Sequence, residues 1–146
     1  MVVIRALLIA APFSPGCTYL DNVAQEVAVV TGVLSGTSAT VVELDDDAER
    51  GATTGSVVDH LPDATILHLA CHGQQDTANP LESGFCLRDG RLSVAELMRL
   101  SLPNAVLAFL SACETAKGHQ TQPDQAVHLA AAMLFVGFRT VIATMW

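Results

Sequence analysis

The sequence predicts an α/β fold with a mostly parallel central sheet covered by helices on both faces. Three observations carry that expectation. Short, strongly apolar runs recur along the chain, and stretches with helical spacing separate them. Hydrophobic residues make up 51% of the 146, with only 15% charged, which is enough to build a buried core and suits strands that are apolar on both sides. Two of the apolar runs, Ile66–Gly73 and Val106–Thr115, end abruptly in polar and reactive residues, as strands do at the carboxyl edge of such a sheet. The length corresponds to a single domain or part of one.

The elements follow in order. Arg5 to Ala11 is a compact apolar run closed by Pro12, which predicts a central strand. Leu20, Val23, Ala24, Val27, Val30 and Val33 or Leu34 fall at helical spacing, with Asp21 or Asn22 able to cap the start. Ala39 to Leu44 is β-branched and apolar, a second strand. Glu43, Asp45, Asp46, Asp47 and Glu49 then crowd into a run expected to be a solvated loop. A short helix is expected over Thr53 to Leu61, ending before Pro62. Leu67 to Ala70 reads as a third strand, stopping just before a turn at His72.

Gln74 to Gly84 is polar and contains Asn79-Pro80, a loop over the strand ends. Gly84 to Leu92 reads as a hairpin with Asp89-Gly90 as its turn. Ser93 with Glu96 forms a capping box for a helix from Val94 to about Leu100. Ala105 to Ser111 is the fourth strand, and Glu114 to Pro123 a polar loop. Asp124 caps a helix from Gln125 to about Phe135, with Gly137 past its end. Arg139 to Met145 is the fifth strand. Alternating units usually close with a further helix, so the single domain over residues 1–146 is expected to be incomplete at its C-terminal end.

Composition narrows the function. A formal charge of −8 argues against a nucleic-acid partner, which requires a basic surface. No run is long enough to span a membrane. The first seventeen residues carry one basic residue, Arg5, and a short apolar run broken by Pro12 and Pro15, so a buried first strand explains them better than a targeting signal or lipoprotein site at Cys17. The cysteines at 17, 71, 86 and 113 are scattered rather than arranged as a disulfide scaffold, which points to reduced thiols and a cytoplasmic protein.

His72 and Cys113 are each expected immediately after a strand, on the same edge of the sheet. If those strands are neighbours, their ends lie about 5 Å apart. An imidazole at that range can take the thiol proton during attack and return it to a leaving amine. Gly73 lacks a Cβ, so its backbone N–H can approach a substrate oxygen, and with the Cys113 N–H it could form an oxyanion hole. A lone cysteine in an apolar run is otherwise a core residue. His68 is expected to be a hydrogen-bonded core residue on the strand face opposite Leu67 and Leu69, and Cys71 to be structural. A zinc site from His68, Cys71 and His72 lacks a second ligand pair, and a thiol–imidazole mechanism needs no metal or organic cofactor.

Five stretches in order resemble the CHAT domain: His68–Gln74, Asn79–Phe85, Leu92–Leu97, Leu110–Ala116 and Ala143–Trp146. The resemblance runs from about Ala64 to the end, and the earlier residues fit it only in pattern. It implies a caspase-like three-layer αβα sandwich and a caspase-like cysteine endopeptidase related to caspases and separase. By that resemblance, His72 is the general base or acid, Cys113 the nucleophile, and the Gly73 backbone an oxyanion donor. The substrate is then a protein or peptide, and fused regulatory or signalling domains are expected. Cys113 follows Ser-Ala rather than the Gln-Ala of caspases, Cys71 stands where the family often has Thr, and Ala116 where it often has Gly. Two other classes stay open: a catalytically silent interaction module on the same fold, and a thiol acyltransferase or hydrolase, for which no small-molecule motif is visible.

Overall fold

The computed structural model describes residues 3–113 and 124–144. Strands β1 (Arg5–Ala10), β2 (Thr40–Leu44), β3 (Ile66–Gln74), β6 (Leu107–Cys113) and β7 (Thr140–Ala143) pair in parallel in the order β2-β1-β3-β6-β7. Strands β4 (Gly84–Leu87) and β5 (Gly90–Ser93) form an antiparallel hairpin on the end of β3. Helix α1 (Val23–Ser35) covers one sheet face, where Val23 and Val27 pack on Ala6, Leu8, Ala10 and Ala70. Helices α2 (Thr54–His60), α3 (Val94–Met98) and α4 (Asp124–Val136) cover the other, where Val57, Leu97, Leu129 and Met133 join Leu7, Ile9, Leu67, Leu69, Cys71 and Leu110. This is the expected αβα sandwich. Leu8 and Ile9 are fully buried on opposite faces of β1, each contributing about 1.5–3 kcal/mol of burial, which is why β1 reads as an unbroken apolar run.

Several boundaries differ from the sequence expectation for identifiable reasons. The third strand does not stop at Ala70. It continues through His72 to Gln74, because β4 pairs along the edge that β1 leaves, with His72 opposite Cys86 and Gln74 opposite Gly84. The expected turn at His72 is therefore a strand interior. Likewise β6 runs to Cys113 rather than ending at Ser111. The hairpin turn is Arg88-Asp89, not Asp89-Gly90: Leu87 pairs with Gly90, which begins β5 with φ +147°, a conformation that favours glycine. Asn22 occupies the N-cap of α1 without a side-chain capping bond. Pro62 sits in a 3-10 turn, Leu61–Asp63, that continues directly from α2. The capping box of Ser93 and Glu96 forms as the sequence indicates. The expected 114–123 loop, Met145 and Trp146 lie outside the described residues. No helix among the described residues is long and apolar enough to cross a membrane.

Topology places the site. From β1 the chain crosses through α1 to β2 on one side, then through α2 to β3 on the other. The direction of winding thus reverses between β1 and β3, and the crevice at such a switch point is where open α/β sheets bind ligands.

Candidate active site

His72 lies three strands deep in a single rung. Its antiparallel partner is Cys86 of β4, and its parallel partner is Cys113 of β6. Neighbouring strands lie about 4.8 Å apart, so the backbone positions of His72 and Cys113 are set at the closest spacing a sheet allows. Gly73 follows, opposite Phe85 of β4. The two residues singled out from the sequence are thus brought together by strand pairing, although inside strands rather than in the turns beyond them.

The His72 ring is almost completely buried, at 1% exposure. Its Nε2 lies 2.5 Å from the Thr18 carbonyl oxygen. A carbonyl can only accept, so Nε2 carries the proton and, in the neutral ring, Nδ1 carries the lone pair. Thr18 lies between β1 and α1, in a segment closed by the Leu20 N–H donating to the Pro12 carbonyl at 3.0 Å. The loop after β1 therefore orients a side chain of β3 across the switch point. No sequence pattern announces this contact, because the acceptor is a main-chain atom 54 residues away.

Cysteines 17 and 86 also converge on this rung. Burial pushes the Cys86 thiol up to about 11, helped by the adjacent Cys17 thiol, with which it shares a hydrogen bond. Cys71 packs on the opposite sheet face among Leu67, Leu69 and Leu110, as a structural residue would. His68 is buried at 4% exposure; its Nε2 lies 2.8 Å from Glu26 Oε1, and its ring stacks on Phe109 at 5.0 Å. Its expected role as a hydrogen-bonded core histidine is what the structure contains. Among the described residues no three or more His, Cys, Asp or Glu side chains gather as a metal cluster would.

The acidic run is exposed from Asp46 to Glu49. It is nevertheless less remote than its sequence position suggests: Glu43, Asp45, Asp46 and Asp47 line a groove of about 280 Å³ together with Tyr19, the residue after Thr18.

Comparison with known families adds one decisive observation. The CHAT domain model matches residues 4–146. The chain belongs to the CHAT-domain family. The match includes β1, α1 and β2, where sequence words alone show only a pattern, so the Thr18 loop lies within the family's domain and not in an appended segment. CHAT domains form a caspase-like, peptidase-related family, in keeping with the sandwich and the mostly parallel sheet. A comparison with curated proteins finds no match.

Proposed function

We propose that this CHAT domain is a cysteine endopeptidase acting on protein or peptide substrates through His72 and Cys113. The observation that carries the reading is the shared register of His72 and Cys113 on adjacent strands, with the His72 ring held through Nε2 by the Thr18 carbonyl. With Nε2–H committed to Thr18, Nδ1 is the nitrogen that receives the Cys113 proton as sulfur attacks the scissile carbonyl. The resulting imidazolium keeps its Nε2–H bond to a carbonyl, which favours the charged ring during attack. It then protonates the leaving amine from Nδ1, and water hydrolyses the thioester by the same route in reverse. The domain acts in the cytoplasm as the effector part of a larger regulated protein and needs no cofactor.

The test is labelling of the full chain by a peptide acyloxymethyl ketone, read by mass spectrometry. Selective modification of Cys113 over Cys17, Cys71 and Cys86, lost in His72→Ala, is expected. Loss of substrate cleavage in a folded Cys113→Ala variant completes the case. Cleavage retained by that variant overturns the reading, and a Cys113 no more reactive than a free thiol overturns it in favour of a silent interaction module.

A further inference from the structure

On the α1 face of the sheet lies a polar group of three residues, Glu26, His68 and Ser111, that the mechanism above does not use. Glu26, on α1, is bonded to both central strands at once. Its Oε1 lies 2.8 Å from His68 Nε2 on β3, and its Oε2 accepts from Ser111 Oγ on β6 at 2.9 Å. His68 and Ser111 are themselves buried, at 4% and 8% exposure, and the His68 ring is held flat against Phe109 with 6° between the planes. His68 and Ser111 sit diagonally across the β3–β6 pair, since Phe109 is opposite His68 and Ala70 is opposite Ser111.

These attachment points lie directly upstream of the dyad. At about 3.3 Å per residue, Ser111 is about 7 Å before Cys113 along β6, and His68 about 13 Å before His72 along β3. Glu26 is also eight residues beyond Thr18, on the helix that the Thr18 loop leads into. The dyad has three separately supplied parts: His72 from β3, Cys113 from β6, and the carbonyl that orients His72 from the segment before α1. Glu26 is bonded to the first two elements and sits on the helix that directly follows the third. We propose that Glu26 is a positioning residue, whose carboxylate ties β3, β6 and α1 together and thereby fixes His72 against both Cys113 and Thr18. It touches no substrate and acts through strand and helix placement alone.

Charge-assisted bonds suit this task because they are short and directional. Their removal loosens the two strand ends and the helix relative to one another. A misplacement of about 1 Å in a catalytic pair costs about 100-fold in rate.

The inference rests on the dyad reading, so its test carries one readout that does not. Glu26→Ala, Glu26→Gln and Ser111→Ala are compared in the full chain, at a temperature where circular dichroism shows each folded. The first readout is the rate and pH profile of Cys113 modification by the peptide ketone. Glu26→Ala is expected to slow it about 10- to 100-fold and to move the profile toward that of an unassisted thiol. Ser111→Ala, which frees only one carboxylate oxygen, has a smaller effect in the same direction. Glu26→Gln keeps a polar atom for each partner and stays within about threefold of the parent. The second readout is the NMR signal of the His72 ring N–H, which reports its bond to Thr18. It is expected to persist in the parent and Glu26→Gln and to be shifted or lost in Glu26→Ala. Unchanged rate, profile and ring signal in folded Glu26→Ala overturn the proposal. If Glu26→Ala does not fold, Ser111→Ala must show the slowing, and parental behaviour there overturns it. If Cys113 of the parent is unreactive, the dyad reading fails, and the ring signal alone decides the role of Glu26.

Discussion

Gly84→Ala is expected to detach the β4–β5 hairpin from the sheet and to disturb the site through it. Gly84 is the first residue of β4, paired with Gln74 of β3 on one side and Ser93 of β5 on the other. A Cβ at this position would stand 2.0 Å from the Leu92 carbonyl oxygen and 2.8 Å from both the Leu92 carbonyl carbon and Ser93 Cα. All three are backbone atoms, so no side-chain rotation relieves the overlap. Ordinary contact begins at about 3.4 Å, so the strands must part by about 3.4 − 2.0 = 1.4 Å. Overpacking of this kind costs about 1–3 kcal/mol, and each stretched ladder bond adds about 0.5–1.5 kcal/mol. The expected loss is about 2–4 kcal/mol in urea denaturation. Because β4 also flanks His72 through Cys86, Cys113 labelling by the peptide ketone should fall beyond what the unfolded fraction explains. A Gly84→Ala protein within about 0.5 kcal/mol of the parent, labelled at the parental rate, would refute the reasoning.

Two further outcomes follow from local chemistry. Ser93→Ala removes the cap that accepts from the Glu96 N–H at 3.2 Å and abolishes half of the capping box of α3, at an expected cost of about 1 kcal/mol in chemical denaturation. For Cys86, the folded thiol is pushed up to about 11 from an ordinary 9.0, so the folded state holds its proton longer than the unfolded state does. Stability from this group is therefore complete below about pH 9 and lost as pH rises toward 11, and Cys86→Ala should flatten the alkaline limb of a thermal-melt pH series.

Much of the site was legible because its chemistry sits in consecutive residues. The His72-Gly73 and Ser111-Ala112-Cys113 words close apolar runs, and an apolar run of that length in an α/β pattern can only be a buried strand. The capping box at Ser93 and Glu96 was equally readable, since all its bonds form within four residues. Polarity after an apolar run signals a strand end, yet it does not end β3 or β6. His72 and Gly73 are polar or featureless in sequence, yet they remain in β3 because β4, folding back from Gly84, supplies the ladder partners. The hairpin turn was displaced by one residue for a similar reason: Asp89 is engaged outside the hairpin, its carboxylate accepting from the Thr54 N–H at 2.9 Å at the start of α2.

The sequence by itself determined the class of fold, the order of its elements and the position of His72 and Cys113 at the ends of two apolar runs, because hydrophobic period and capping are local properties of the chain. Only the tertiary structure decided the register that sets His72 beside Cys113, the Thr18 carbonyl that assigns its tautomer, and the Glu26 carboxylate that spans β3 and β6. Those contacts join residues 41 to 85 positions apart. They arise when burial of the two sheet faces forces the strands into one packing arrangement. The cost of leaving buried polar groups unpaired then selects their partners.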